Sequence, residues 1–185
     1  MRRLIFPLVL RIAIAILFAM TSVSEVYASN KVNTLALTSS AASDQGIIPV
    51  MYTCDGKNIS PALAWTNIPP KTQAFALILA DPDAPSGTFY HWALYNIPKD
   101  AHSFAEDLTK LPAGTVAIAN SWGKKEYNGP CPPKGSTHHY IFSLYALDNM
   151  LKLPADADIT TLLAALQSHI VGKNDFVVVY SKWPS

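Results

Sequence analysis

The stretch AFALILADPDAPSGTFYHWALYNI, residues 74–97, decides how the central part of the chain is arranged. Its two ends are apolar runs rich in leucine, isoleucine and aromatic residues, which favour β-strands. Between them, Pro82 and Pro85 fix the backbone angle φ and remove two N–H donors, so the connection is stiff. Taken alone, this composition is typical of a turn. The stretch therefore predicts two strands, Ala74–Ala80 and His91–Ile97, joined by a rigid acidic loop.

Six further segments have a similar apolar composition and are bounded by Gly, Pro, Asn or Asp. They are Leu35–Leu37, Ile47–Thr53, Ala62–Thr66, Val116–Asn120, Tyr140–Leu147 and Asp175–Trp183. Many short strands separated by turn residues, with little helix, are typical of two packed antiparallel sheets. We therefore predict a mainly β protein with the architecture of an antiparallel β-sandwich.

One short helix is predicted near the C-terminus. Asp158 is suited to cap its N-terminus, and Gly172 is suited to end it. The apolar residues that recur at helical spacing on one face are Ile159, Leu162, Leu163, Leu166 and Ile170. We interpret His169, close to the predicted C-terminal end, as a solvated residue whose charge suits the helix dipole.

The first 28 residues have the features of a secretory signal peptide. Two arginines precede an apolar core, Ile12–Met20, and Val26–Ala28 offers the small residues of a cleavage site. An uncleaved membrane helix is the alternative, but Arg11 interrupts the apolar run, which is short for a span of about 20 residues. We expect a signal peptide at 1–28 and a mature domain at 29–185, periplasmic or secreted, with no transmembrane segment after cleavage.

Composition limits the classes of partner. The chain has 185 residues and is 50% hydrophobic, which suits one domain with a substantial core. Removal of residues 1–28 takes away three arginines and one glutamate, so the net charge changes from +1 to −1. A nearly neutral protein without a basic stripe has no electrostatic reason to bind nucleic acid.

The chain has two cysteines, Cys54 and Cys131. In an oxidising compartment a disulfide between them is favoured. Because it closes a long loop, such a bond is expected to stabilise the fold by about 4 kcal/mol. The alternative is that Cys131 is a nucleophile with a nearby histidine as its base.

A second stiff loop, YNGPCPPKGSTHHY at residues 127–140, also leads into a strand that begins with histidines. Because side chains alternate along a strand, His138 and Tyr140 share one face and His139 takes the other. Two proline-rich loops that each deliver a histidine beside a strand predict two walls of one pocket.

These motifs resemble those of the phosphatidylethanolamine-binding protein family, also called Raf kinase inhibitor proteins, and especially its small bacterial and archaeal members. The matching pieces are YTCDGKNISPALAW (52–65), DPDAP (81–85), HW (91–92), NSWG (120–123), GPCPPKG (129–135) and HHY (138–140). Their order and spacing fit over essentially all of the mature chain. The resemblance implies a Greek-key β-sandwich with a small anion pocket, and a cis peptide between Ala84 and Pro85.

The resemblance also implies a set of ligand-binding residues. They are Asp81, Asp83, His91, Gly129, Pro130, His138 and Tyr140. His139 stands where the family usually has arginine, and we expect it to contact a strand or an acidic neighbour and not the ligand. An anion beside two acids requires either that an acid orients and charges a histidine or that the two acids share a proton. The expected donors are the two pocket histidines, the tyrosine hydroxyl and backbone N–H groups of Gly129–Pro133.

The function implied by the resemblance is non-enzymatic binding of a small anion, such as phosphate or a phosphoethanolamine headgroup, with inhibition of a protease or kinase as a regulatory role. The sequence does not identify a protein target. A hydrolase that uses the acidic and histidine residues is the alternative. No cofactor and no metal are expected, because the H-x-x-x-H and C-x-x-C spacings of metal sites do not occur.

Overall fold

The computed structural model describes residues 34–183, so the signal peptide expected at 1–28 lies outside the described residues. In the described part the chain forms nine strands and one α-helix. The strands are β1 (Ala36–Ser39), β2 (Gly46–Ile47), β3 (Leu63–Thr66), β4 (Ala74–Asp81), β5 (Phe89–Pro98), β6 (Ser103–Phe104), β7 (Val116–Ile118), β8 (Thr137–Leu147) and β9 (Ile170–Ser181). The helix α1 spans Ile159–Leu166.

The strands are arranged in two sheets. The smaller sheet has the order β1-β3-β6, and the larger has the order β2-β9-β8-β4-β5-β7. Strand pairs are antiparallel except for β2 and β9, which run parallel. The prediction of a mainly β protein with one short helix near the C-terminus is confirmed, while the Greek-key connectivity stays a prediction.

The two sheets share one apolar core. Leu77 and Leu79 of β4 belong to the same buried cluster as Leu63 and Trp65 of the smaller sheet. The Trp65 ring packs edge-on against Phe75 of β4, with ring centroids 5.6 Å apart. Burial of each large apolar side chain contributes about 1.5–3 kcal/mol, so this cluster holds the sheets face to face.

The helix covers the opposite face of the larger sheet. Ile78 of β4 lies in a second buried cluster with Leu162 and Leu166 of α1. The carboxylate of Asp158 accepts the N–H of Thr161 at 2.8 Å, so the predicted N-cap is confirmed. Within residues 34–183, no helix has the length and apolar character needed to cross a bilayer.

The helix ends earlier than the sequence predicted. Gly172, expected to end it, and Ile170, expected on its apolar face, both lie in β9. A Cβ on Gly172 would lie 2.7 Å from Pro69 Cγ, so the glycine permits close packing beside the strand and does not serve as a helix cap. His169 lies in the turn between α1 and β9, where its Nδ1 is 2.9 Å from Asp148 Oδ1.

One strand prediction also needs correction, and one strand was missed. The segment Ile47–Thr53 contributes only its first residue to β2, because Pro49 has no N–H to donate to a ladder. After the proline the chain forms a turn of 3₁₀-helix, Val50–Tyr52. The strand β6 was not predicted, since two residues are too few to produce a recognisable alternation.

Candidate functional site

Three strand ends bring predicted pocket residues together at one edge of the larger sheet. β4 lies between β5 and β8 and runs antiparallel to both. The end of β4 therefore meets the starts of β5 and β8, which places Asp81 near His91 and His138. This edge brings the two proline-rich loops together as the walls of one cavity.

Asp81 and His138 form a buried pair of acid and imidazole. The Nδ1 atom of His138 lies 2.7 Å from Asp81 Oδ2, and the residues are 6% and 4% exposed, respectively. Because an ionised carboxylate only accepts, His138 Nδ1 carries the proton. The second oxygen of Asp81, Oδ1, accepts the N–H of Asp83 at 2.9 Å. Asp81 therefore fixes the orientation of the imidazole and leaves its Nε2 for other contacts.

His91 is held by backbone carbonyl groups. Its Nδ1 lies 2.9 Å from the oxygen of Asn128 and 3.1 Å from that of Gly129. A carbonyl oxygen only accepts, so Nδ1 is the donor and carries the proton. His91 is 2% exposed, and this burial lowers the pKa of its imidazole, although the bond to the Asn128 carbonyl and the charge of Asp81 oppose the shift.

Tyr140 lies fully buried behind the imidazoles. Its ring packs edge-on against His91 with the centroids 5.2 Å apart, and its hydroxyl oxygen accepts the N–H of Cys131 at 3.2 Å. Burial raises the pKa of the phenol far above its usual value, and the negative charge of Asp81 is the second cause of this shift. Tyr140 therefore stays a neutral hydroxyl that supports the wall of the cavity.

The loop that contains Gly129, Pro130 and Cys131 is tied to the segment near residue 54. A Cβ on Gly129 would lie 2.0 Å from the oxygen of Tyr52, so no other residue fits there. The carbonyl of Pro130 accepts the N–H of Cys54 at 3.1 Å. Next to this bond a disulfide joins Cys54 and Cys131, whose Cα atoms are 5.4 Å apart. The disulfide prediction is confirmed, and the alternative of a nucleophilic Cys131 is wrong because its sulfur lies in that bond.

Asp83 lies apart from the cavity, although the resemblance placed it in the ligand set. Its Oδ2 accepts both the N–H and the Nδ1–H of His139, each at 2.8 Å, and both side chains are exposed. These bonds, the backbone N–H first, lower the pKa of the Asp83 carboxyl. His139 thus contacts an acidic neighbour, as expected for the residue in the position of the family's arginine.

The peptide between Ala84 and Pro85 is trans, so the expected cis bond is wrong. The turn is closed by other contacts. Asp83 donates its N–H to Asp81 Oδ1, and Gly87 donates its N–H to the oxygen of Ala84 at 3.1 Å. Gly87 has a φ of 98°, which glycine adopts without the strain that a side chain would cause.

A cavity of about 270 Å³ opens between the two loops. Of the predicted ligand set, Asp81, His91 and His138 line it, and its remaining lining is mainly apolar. Gly129, Pro130 and Tyr140 support this wall without lining it. A larger cleft of about 490 Å³ lies at the opposite end of β4 and β5, but none of the described residues that line it is a histidine. We place the candidate site in the smaller cavity, where a carboxylate and two imidazoles converge.

Sequence reasoning missed Trp122, which forms part of the cavity rim. The side chain is 46% exposed, and its ring lies 4.9 Å from His91 and 4.6 Å from Phe89, measured between centroids. Asn120 positions it, because its Oδ1 accepts the Trp122 N–H at 3.0 Å and its Nδ2 donates to the His91 carbonyl at 3.2 Å. The motif NSWG contained the signal, but the sequence does not show that this segment folds over β5.

Comparison with known proteins leads to the same family as the motifs. A family model described as phosphatidylethanolamine-binding protein matches residues 38–181. The chain belongs to the phosphatidylethanolamine-binding protein family. A relative from Methanothermobacter thermautotrophicus, named UPF0098 protein, is 43% identical over 145 residues, which are 77% of this chain and 95% of that protein.

Two bacterial proteins are also similar to this chain. The crystal structure of Escherichia coli YbcL, described as a member of the mammalian PEBP family, covers 80% of this chain and 98% of its own, with a TM-score of 0.75 and 29% identity. LppC of Mycobacterium tuberculosis, named a candidate lipoprotein, is 41% identical over 124 residues, which are 66% of this chain and 60% of LppC. The resemblance read from the motifs is therefore confirmed, and it assigns the chain to a family of proteins that typically bind ligands.

Proposed function

We propose that this chain is a non-enzymatic binding protein whose cavity at Asp81, His91 and His138 takes a small anion, such as phosphate or the phosphoethanolamine headgroup of a phospholipid. The observation that carries the proposal is the buried contact of 2.7 Å between Asp81 and His138 on the cavity wall. A carboxylate favours the charged form of a neighbouring imidazole, whose Nε2–H is then a strong donor to an anion. Membership of a family named for phosphatidylethanolamine supports the same class of ligand.

The contacts of the two acids favour one of the two roles considered for them. Asp81 uses one oxygen for His138 and the other for a backbone N–H, while the Asp83 carboxylate is bonded to His139. An arrangement in which the two carboxyl groups share a proton has no contact to support it. We infer that Asp81 acts from behind His138 and fixes the orientation of its ring.

Backbone donors of the second loop are already used within the fold. Gly129 donates its N–H to Asn58 Oδ1 at 2.7 Å, and Cys131 donates its N–H to Tyr140. The neighbouring prolines have no N–H. The proposed anion site therefore depends on imidazole and not on a cradle of backbone amides.

The hydrolase alternative has no support from the site. The sulfur of Cys131 is in a disulfide, and the described residues that line the cavity include no serine or threonine hydroxyl. Asp81, the carboxylate in the cavity, is already bonded through both oxygens. A binding role uses this arrangement directly, whereas a hydrolytic role would require an additional activated group.

We further propose that the mature protein, expected at 29–185, acts in the periplasm or after secretion. The signal-peptide features and the candidate lipoprotein among the relatives support an envelope location. Inhibition of a protease or kinase, which the family resemblance implies, remains a prediction with no identified target.

Isothermal titration calorimetry with phosphate and phosphoethanolamine tests the anion site. We expect the affinity of the wild type to fall from about pH 5.5 to about pH 8.5, because an imidazolium donor is lost as pH rises through the range in which histidine titrates. Replacement His138→Ala should lower the affinity at least tenfold at the lowest pH, since a charge-assisted hydrogen bond is worth about 1.5–3 kcal/mol.

The matched control is His139→Ala, which changes the adjacent residue on the outer face of β8. It should leave anion affinity within about twofold of the wild type, because His139 contacts Asp83 and not the cavity. If the wild type binds neither compound, or if the two alanine variants behave alike, the proposed function is wrong.

A further inference from the structure

The ring nitrogens of His91 have fixed and opposite roles. Two backbone carbonyls lie within 3.1 Å of Nδ1, and a carbonyl cannot donate, so the proton is on Nδ1. Within the described chain Nε2 makes no hydrogen bond, and it is not a fully buried atom. Because His91 lines the cavity, this nitrogen opens into it. In the neutral ring Nε2 is therefore a hydrogen-bond acceptor that faces the ligand.

The ring environment favours this neutral form. Burial lowers the pKa of His91, and the ring is enclosed by the aromatic rings of Phe89, Trp122 and Tyr140. A charged imidazolium in such surroundings loses hydration. The cavity consequently presents an acceptor at His91 in addition to the carboxylate of Asp81.

We propose that His91 is a specificity-determining acceptor, so that the cavity selects oxyanions that still carry a proton, such as singly ionised phosphate or phosphonate, over proton-free oxyanions such as sulfate or sulfonate. This inference rests on the proposed anion site and names its ligand class. The ligand's acidic O–H donates to His91 Nε2, while its ionised oxygens accept from His138 Nε2–H. Each group then has a complementary partner.

A proton-free oxyanion cannot satisfy this site. Its oxygens only accept, so one of them would face the lone pair of His91 Nε2 with no proton between them. A site that leaves a buried polar group unpaired discriminates strongly against such a ligand. The alternative, protonation of His91 at Nε2, places a positive charge in a buried aromatic environment. The cavity should therefore bind an oxyanion that carries an acidic proton more tightly than one that carries none.

Other titratable groups near His91 affect the pH dependence. From β4 the charge of Asp81 favours the imidazolium form, and from β8 a charged His138 disfavours it. Tyr140, also on β8, stays neutral. On the loop that folds over β5, Lys124 and Glu126 pair with each other at 3.3 Å. Since several groups titrate together, the test must separate the ligand's proton from those of the protein.

Methylphosphonate and methanesulfonate separate the effect of the ligand's proton from the titration of the protein's own groups. Near pH 5.5 both are tetrahedral anions with one negative charge, but only the phosphonate retains an acidic O–H. We expect calorimetry to show at least tenfold tighter binding of methylphosphonate. A second pair, phosphate and sulfate, is titrated from about pH 5.5 to about pH 8.5 at constant ionic strength. Because sulfate does not change its protonation over this range, its profile reports the protein alone, and phosphate should weaken more steeply.

Two substitutions test the role of His91. His91→Asn retains an N–H donor for the two carbonyls but removes the acceptor that faces the cavity. His91→Gln retains a polar group near the position of Nε2, and its amide can turn to donate. Both variants should reduce the phosphonate preference to less than about threefold, whereas the exposed control His102→Gln should preserve it. Thermal unfolding of each variant confirms that it folds.

The outcomes separate this inference from the proposed function. Equal wild-type affinities for methylphosphonate and methanesulfonate, with parallel pH profiles for phosphate and sulfate, would overturn the role of His91 and leave the anion site intact. Unchanged selectivity in folded His91→Asn would also overturn it. Failure of the wild type to bind any of the four anions would overturn both.

Discussion

The environment of His91 determines which of its two ring nitrogens carries the proton. Its Nδ1 is bonded to the carbonyls of Asn128 and Gly129, and the residue is almost completely buried. The sequence identified His91 as a pocket residue but gave no means of choosing between its two nitrogens. That choice depends on carbonyls 37 and 38 positions further along the chain.

The lowered pKa of His91 predicts a loss of stability in mild acid. The unfolded chain binds a proton at the ordinary histidine pKa near 6.5, whereas the folded state resists it. Stability from this group is thus fully present above about pH 6.5 and falls by up to about 1.4 kcal/mol per pH unit below it, towards the folded-state pKa. Urea unfolding at about pH 5, 6, 7 and 8 measures the slope.

The same series in His91→Asn provides the comparison for this stability prediction. Without the buried imidazole, the fall in unfolding free energy between about pH 6.5 and pH 5 should be smaller. Equal slopes for the two proteins would show that other groups cause the acid sensitivity.

At the scale of elements, the sequence predicted the structural features that neighbouring residues determine. Pro82 and Pro85 stiffen their loop through their own rings, and Asp158 caps α1 by accepting the N–H of Thr161, three residues further along the chain. Features that depend on distant contacts were missed or misread. Gly172 is required by Pro69, about a hundred positions earlier, and Trp122 reaches the cavity because Asn120 bonds to the carbonyl of His91.

The disulfide links two loops whose order the binding site requires. Cys131 donates its N–H to Tyr140, and the nearby carbonyl of Gly129 accepts from His91. The disulfide to Cys54 therefore also stabilises the loop that orients these two pocket residues. We expect the double replacement Cys54→Ser with Cys131→Ser to lower the free energy of unfolding by about 4 kcal/mol. Anion affinity should fall at least tenfold, because the imidazole of His91 loses its fixed orientation. Urea unfolding and calorimetry measure the two effects.

A control variant for the disulfide keeps the bond and removes a neighbouring ion pair. Asp55→Asn breaks the 2.7 Å contact with Lys182, whose Nζ also lies 3.5 Å from Cys54 Sγ. Because the pair is partly exposed, this change should cost about 1 kcal/mol or less and leave binding unchanged. A double serine variant that binds anions like the wild type would contradict the link between the disulfide and the site.

At the scale of the whole molecule, the larger sheet separates stability from binding. One face packs on the smaller sheet, the other is covered by α1, and the cavity opens at the edge where β4 ends. The side chains of β4 therefore alternate between two buried layers, while Asp81 at its end reaches the cavity. This division predicts that the helix layer supports the fold without contributing to ligand recognition.

Leu162 provides the test of this division. It is fully buried between α1 and the larger sheet, so Leu162→Ala should lower the free energy of unfolding by about 2–5 kcal/mol through lost burial and the cavity left behind. Leu163→Ala, at the next and only partly buried position, should cost less. Both variants, assayed well below their unfolding temperatures, should bind phosphate as the wild type does, because neither side chain reaches the edge at Asp81. Weaker phosphate binding by a fully folded Leu162→Ala protein would show that packing on the helix face is coupled to the cavity through β4.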